Sequence, residues 1–436
     1  MFLHGNSRVI NGELYIGGCS TTELTRAFGT PLIVYDEQHI RDLARAYRRP
    51  FEQASVPYAI AYASKAFSSI AMCQLAQEEG LWLDVVSGGE LYTALSAGFP
   101  PEHIYMHGNN KTIDELEYAV DHHIGMIVID NFHEIEELSR VLQKRDQKID
   151  VILRVSPGVD AHTHEFISTG QQDSKFGFDL YSGQVEIAVG RVLEHPNLRL
   201  VGLHSHIGSQ IFDVAGFRVA ASRMATLFAR LKREYGLELS ILNLGGGVGI
   251  RYTGDDILPP LEVTVKGIIE VTQHAFKEQH QTLPILMLEP GRSLVGTSGT
   301  TLYTVGSRKD IAGIRSYLAV DGGMTDNPRL ALYGAKYEAA IANRMDEPNA
   351  QTVSIAGKCC ESGDMLIWDA VLPASQPADI LAVSCTGAYN YSMASNYNRI
   401  PRPAVVFVQG GDARLVIRRE TWDDVVRLDV PVTVRA

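Results

Sequence analysis

The sequence predicts an α/β fold: a (β/α)8 barrel of the TIM type joined to a mostly β domain. Three observations carry this. Through a long middle region, short apolar runs rich in β-branched residues alternate with amphipathic helical stretches. Nearly every one of those runs ends in polar or glycine residues, as strands do at the mouth of a parallel barrel. Beyond about residue 297 the helical stretches give way to strands joined by turns. A chain of 436 residues also exceeds what one core holds, which fits two domains.

The first ~35 residues read as short strands able to join the β domain. Eight barrel strands are expected at YAIAYASK (58–65), LWLDVVS (81–87), IYMHGNN (104–110), MIVIDN (126–131), DVILRVSPG (150–158), LVGLHSHIGS (200–209), LSILNLGGG (239–247) and PILMLEPGR (284–292). The helices between them have readable starts. Thr112 with Glu115 ahead of LEYAV fits a capping box, and Asn131 with Glu134 fits the start of IEELSRVL. An open doubly wound sheet shares this periodicity, and pattern alone does not exclude it. The barrel is assigned to 36–297. The β domain is assigned to 1–35 and 298–436, where TTLYTVGSRKD, SYLAVDGG, TVSIAGKCC, DMLIWDAVLP, DILAVSCTG and AVVFVQGGDARLVIRRET read as strands.

Composition excludes several functions. The net charge is −12 with no basic run, which argues against nucleic acid and against anionic membrane surfaces. The N-terminal MFLHGNSRVINGELYIGG lacks the regions of a signal peptide, and no apolar run reaches the roughly 20 residues of a membrane span. Five scattered cysteines (Cys19, Cys73, Cys359, Cys360, Cys385) suit a reducing cytoplasm, and a bridge between the adjacent pair would be strained. Without a CxxC pair or an HExxH helix, no metal site is expected.

The strand ends carry the chemistry. Lys65, Ser87, Asn109, Asp130, Arg154, His206, Gly245 to Gly247 and Glu289 close successive runs. Polar exits are ordinary, but a lysine, a histidine and a glutamate together are poorly explained that way. Lys65, in AYASKAFSSIA, sits among small and apolar residues that would partly desolvate its amine and favour a Schiff base. On its own it reads better as a snorkelling surface lysine. LNLGGGVGIRY places three glycines after a late strand, where backbone N–H groups cradle phosphate in barrels, although tight turns use glycine too. A Schiff-base lysine and a phosphate cradle on one mouth point to pyridoxal 5′-phosphate (PLP).

YASKAF, HSHIGSQ, NLGGGVGIRY, EPGRSLVG, DGGMTDNPRLALY, CCESGD and TGAYNYSMASNYN occur in order along nearly the whole chain. Together they closely resemble the diaminopimelate decarboxylases, fold type III PLP enzymes of the alanine-racemase-like class. The resemblance implies a PLP barrel with a β domain, and a homodimer with active sites shared across its interface. It implies that meso-2,6-diaminopimelate is converted to L-lysine and CO2, the last step of lysine biosynthesis. It makes Lys65 the Schiff-base lysine and His206 the ring stacked on the pyridine. Ser209, Gly245, Gly246 and Gly247 would hold the phosphate, helped by Pro290, Gly291 and Arg292 and by the Tyr389 hydroxyl. Glu289 would keep the pyridine nitrogen protonated, which favours decarboxylation over racemisation. Arg292 and Arg329, with Tyr333 and Tyr389 alongside, would take the substrate's distal carboxylate, and Glu361 its distal ammonium. Cys360 would be the catalytic proton donor, acting on the partner subunit's cofactor.

One position departs from the family pattern: Cys359 stands where a histidine is expected before the catalytic-type cysteine, and no role attaches to it. Asp84 and Arg154 also lie at strand ends but are not assigned to the site. Two other readings are an ornithine- or arginine-type decarboxylase of the same fold and a non-catalytic regulatory homologue. The first should lack a distal-carboxylate arginine pair. The second should have lost the lysine, the cysteine or the acidic group.

Overall fold

The computed structural model of the chain describes residues 1–159 and 174–432. It divides into two compact units. One comprises Arg41–Ile250 and Ile257–Leu294; the other comprises Met1–Ile40, Arg251–Asp256 and Val295–Ala436.

The first unit is a closed parallel barrel. Its strands are Tyr58–Ala63, Trp82–Val85, Ile104–Met106, Met126–Ile129, Ile149–Ser156, Leu198–His204, Ile241–Asn243 and Ile285–Leu288. Each expected run overlaps one of them, and two strands begin ahead of the expected run, at Ile149 and Leu198. Every strand pairs in parallel with the next, and the eighth returns to the first, with Leu286 opposite Tyr58 and Leu288 opposite Ile60. That last pairing separates a barrel from an open sheet. Side chains from five of the strands pack in the interior: Ala59, Ala61, Tyr105, Met126, Val128, Ile152 and Met287 form one buried cluster. The small residues of the first strand leave room there for Tyr105 and Met287. Each buried aliphatic side chain contributes roughly 1.5–3 kcal/mol of transfer free energy.

Caps set the helix starts that aim the strand ends. Thr112 and Glu115 form the expected capping box. Asn131 caps its helix by accepting from the Glu134 N–H at 3.0 Å. Glu134 itself accepts from the Asp130 N–H at 3.1 Å and from the buried Lys111 ammonium at 2.6 Å. Ser69 and Ser87 cap the helices that follow the first two strands.

The second unit is built on the long strand Gly299–Ile311, which pairs antiparallel with Arg315–Val320, with Ile380–Ser384 and with Leu32–Asp36. Leu32–Asp36 also pairs in parallel with Ala404–Gln409, so the N-terminal strand is an interior member of this sheet. All five of its residues are buried. Leu14, Ile16, Leu32, Val34, Leu302, Ala382, Val406 and Val408 belong to one core cluster, in which N-terminal and C-terminal residues pack together. Among the described residues, no helix is long and apolar enough to cross a membrane.

Candidate active site

The barrel mouth holds a cavity of about 360 Å³ lined by Lys65, Asp84, Val86, His107, Gly108, Asn109, Arg154, Phe176, His204, His206 and Glu289. That size lies within the roughly 300–1,000 Å³ range of small-molecule sites. Lys65 stands in a single helical turn, Ser64–Ala66, directly after the first strand. Its neighbours Ser64 and Ala66 are buried while Lys65 itself is exposed, which differs from the desolvated lysine expected from its sequence context. The turn packs against the end of the eighth strand, where the Ala63 N–H donates to the Pro290 carbonyl at 3.1 Å. A methyl group on Gly291 would lie 3.1 Å from Ala63 Cβ and from Ala66 Cβ, so glycine lets the two strand ends meet. This closure places Lys65 and Glu289 on one cavity.

Glu289, 6% exposed, is the centre of a buried network. Its Oε1 accepts from Tyr105 Oη at 2.8 Å, His107 Nε2 at 2.8 Å and Asn243 Nδ2 at 2.7 Å. Its Oε2 accepts from His204 Nε2 at 3.2 Å. Burial would raise this carboxyl, but the two histidines and their hydrogen bonds outweigh it and hold Glu289 well below the usual carboxylate range. Burial pushes His107 and His204 below the ordinary imidazole value. Four N–H and O–H donors keep a carboxylate ionised without a charged imidazole. A ligand atom from each of His107, His204 and Glu289 lies within 4.8 Å of the others, so these three side chains form a group able to hold a metal ion, although no metal site is expected from the sequence. Asp84 is pushed up to about 6 by burial, with His107 pulling down and the Glu289 charge adding to the rise. Arg154 lies 3.6 Å from Asp130 and stacks over Phe176 at 4.2 Å.

His206 accepts from the Gly246 N–H through Nδ1 at 3.3 Å. Burial, with Lys65 and Arg154 nearby, holds it well below the ordinary imidazole value. It therefore offers a neutral aromatic ring to the cavity. The glycine run lies flush against the neighbouring strand ends. A methyl group on Gly246 would sit 2.2 Å from the Glu289 carbonyl oxygen, and one on Gly247 2.3 Å from that of Gly208. Arg292 donates to Ser209 Oγ from Nε at 3.1 Å and from Nη2 at 2.9 Å.

The remaining expected residues lie in the β unit. Arg329 is 5% exposed and donates from Nη1 to Tyr252 Oη at 3.0 Å. Its guanidinium carbon lies 5.8 Å from the Tyr252 and Tyr333 ring centres and 5.4 Å from that of Tyr389. Its Nε is buried without a hydrogen-bond partner. Tyr389 has φ +67°, a left-handed conformation costly for a bulky residue and commonest at functional sites. Cys360 and Glu361 are exposed at a turn and Cys359 is half-buried. Burial, together with Asp364, pushes the Cys359 thiol up to about 11. All five cysteines are free.

Residues 37–296 match the pyridoxal-binding domain of the pyridoxal-dependent decarboxylases. The chain is 57% identical to a diaminopimelate decarboxylase from Bacillus subtilis (strain 168), over 99% of this chain and 98% of that one. It belongs to the diaminopimelate decarboxylase family. The fold agrees. A diaminopimelate decarboxylase from M. jannaschii in complex with L-lysine superposes with a TM-score of 0.92, at 34% identity over 98% of each chain. One from Helicobacter pylori complexed with L-lysine gives 0.84, at 30% identity over 94% of this chain and 98% of the other.

The residues present fit the family's cofactor. Glu289 Oε1 takes three donors and Oε2 one, which leaves an acceptor position for a pyridinium N–H. Lys65 lines the same cavity, and Ser209 and Arg292 lie together as polar groups able to meet an anion, while the Gly245 and Gly246 N–H groups donate to Asn243 Oδ1 and His206 Nδ1. Sequence reasoning missed Tyr105, His107, His204 and Asn243. The signal for His204 was present in HSH: residues two apart on a strand face one way, so His204 accompanies His206. The others come from two further strands, Tyr105 and His107 from the end of Ile104–Met106 and Asn243 from Ile241–Asn243, and only closure of the barrel brings them to one carboxylate.

Proposed function

We propose that this chain is a cytoplasmic, homodimeric decarboxylase that converts meso-2,6-diaminopimelate to L-lysine and CO2. The observation that carries the substrate is Arg329: a buried guanidinium ringed by tyrosines, bonded to a hydroxyl and lacking a carboxylate partner among the described residues. A cation in that state suits a ligand carboxylate. Ornithine and lysine have no distal carboxylate and would leave it unpaired.

PLP, when bound, supplies the electron sink that lets the substrate's carboxyl group depart. Lys65 provides the amine that holds it and His206 a neutral ring against its face. Ser209, Gly245 to Gly247, Pro290, Gly291, Arg292 and Tyr389 hold the phosphate. Glu289 keeps the ring nitrogen protonated, and its donors fix the carboxylate in place. Arg329 and Arg292, with Tyr333 and Tyr389, orient the distal carboxylate; Glu361 accepts the distal ammonium. Cys360 carries the proton delivered to the α carbon and belongs to the neighbouring subunit's site. Residues 36–297 are the cofactor domain, and 1–35 with 298–436 the β domain. Lys65, Glu289 and Cys360 are all present, so a non-catalytic role has no support in the residues. Purified, PLP-loaded protein given meso-diaminopimelate should form equimolar L-lysine and CO2; a protein that forms neither would overturn the assignment.

A further inference from the structure

The short segment Arg251–Asp256 interrupts the barrel unit's stretch of chain and belongs to the β unit. It carries Tyr252, whose hydroxyl accepts from Arg329 Nη1 at 3.0 Å. Residues of the β unit grip this segment from several sides. Glu338 Oε1 accepts from the Gly254 N–H at 2.7 Å, and its Oε2 accepts from the Phe2 N–H at 2.6 Å. Tyr337, the preceding residue, meets the Tyr252 ring edge-on at 5.6 Å between centres. The Phe2 ring centre lies 4.2 Å from the Arg251 guanidinium carbon. The Cys385 thiol donates to the Arg251 carbonyl at 3.2 Å, and its sulfur accepts from His4 Nε2 at 3.2 Å. Burial, with His39 and Arg251 nearby, pushes His4 down to about 4, so a neutral imidazole meets that thiol. Within the segment, Asp256 Oδ2 accepts from the Tyr252 and Thr253 N–H groups, each at 2.9 Å.

We propose that Glu338 is a positioning residue for recognition of the substrate's distal carboxylate: it braces the Tyr252 segment against the N-terminal residues and so fixes the direction of the Arg329 guanidinium. Tyr252 Oη is the near acceptor for Arg329 Nη1, and the Ala388 carbonyl lies farther off at 3.5 Å. The place of the Tyr252 hydroxyl therefore sets the plane of the cation. A guanidinium meets a carboxylate through a rigid fork of donors, so that plane decides how well the pair forms. The brace requires a carboxylate. Both of its partners are N–H donors, so both oxygens must accept. Glu338→Gln leaves one acceptor oxygen and turns an NH2 toward the other N–H, which releases one of the two segments. Phe2, Tyr252, Arg329 and Glu338 belong to one chain, and the brace bears on one end of one substrate.

This inference rests on the proposed role of Arg329. The test is a double-mutant cycle of Glu338→Gln and Tyr252→Phe in the PLP-loaded enzyme. Both single variants should keep the visible absorption of bound PLP. Glu338→Gln should raise the KM for diaminopimelate about three- to ten-fold and leave kcat within about two-fold, the pattern of lost binding rather than lost chemistry. Because Glu338 acts through the Tyr252 hydroxyl, the double variant should have a KM no higher than Tyr252→Phe alone. Additive losses would overturn the brace, and so would an unchanged KM in folded Glu338→Gln. Hydrogen exchange in the unmutated enzyme decides the matter even if Glu338→Gln does not fold. The Gly254 amide should exchange at least about ten-fold more slowly than the amide of its exposed neighbour Asp255. Equal rates at the two would overturn the brace. The underlying role fails on a different result, full activity toward diaminopimelate in Arg329→Ala.

Discussion

Arg329 Nη1 donates to the Tyr252 hydroxyl at 3.0 Å, and that bond orients a buried cation with no carboxylate partner among the described residues. An ionised group held this way is costly unless an anion completes it. Truncating the guanidinium should therefore remove recognition of the distal carboxylate without touching the cofactor. Arg329→Ala should lower kcat/KM for diaminopimelate by on the order of 10³, a loss of about 4 kcal/mol of transition-state binding. The visible absorption of bound PLP should be unchanged. Steady-state kinetics with PLP titration checks both.

Lys65 occupies the turn that follows the first strand and lines the cavity that contains Glu289. Borohydride treatment of the native protein should attach PLP to the peptide containing Lys65. Lys65→Ala should lose that attachment and at least ~10³ of kcat, since a nucleophilic group is removed outright. Peptide mass spectrometry after reduction reads the first result. Normal turnover in Lys65→Ala would contradict the role.

Asp326 accepts from the Gly323 N–H at 3.0 Å and from the Tyr303 hydroxyl. Burial pushes it up to about 7; these two donors pull down, and the nearby Asp321 and Asp364 charges add to the rise. With a folded value above the ordinary 3.8, the native state keeps a proton that the unfolded chain has lost. The stability this group contributes is complete below about pH 4 and is lost as pH rises toward 7. In Asn the amide oxygen can accept from the Gly323 N–H while the NH2 donates to the Tyr303 hydroxyl oxygen, without charge. Relative to unmutated protein, Asp326→Asn should gain ~1.4 kcal/mol per pH unit between roughly pH 4 and 7, then level off. Unfolding midpoints across that range measure it. A difference independent of pH would show that Asp326 does not hold a proton there.

Cys360 is exposed, and a thiol is chemically competent to donate a proton. If it serves the partner's cofactor, inactive Lys65→Ala and inactive Cys360→Ala subunits should complement. Hybrid dimers would hold one intact site in two. Activity after subunit exchange, in heterodimers verified by distinguishable tags, is the readout. No recovery would place the whole site within one chain.

How much was readable from the sequence varies with the physics behind each feature. The eight barrel strands were legible because a buried parallel strand is a short apolar run with a polar exit, as in MIVIDN. The Thr112 cap was legible because capping is local. Closure was not, since the pairing of Leu286 with Tyr58 joins residues far apart in the chain. The donors around Glu289 were missed for the same reason: Tyr105, His107, Asn243 and His204 converge only in the closed barrel. Nothing local in TDNPRLALY marks Arg329 as buried. Its burial depends on Tyr252 and Tyr389, which no local pattern connects to it.

The most direct test of the account is substrate discrimination by the unmutated enzyme. CO2 release from meso-diaminopimelate and from ornithine should be measured side by side, with PLP saturating. A site built to pair a distal carboxylate rejects an analogue lacking it by on the order of 10³ or more in kcat/KM. The account predicts that preference for diaminopimelate. Comparable kcat/KM for the two substrates would contradict it.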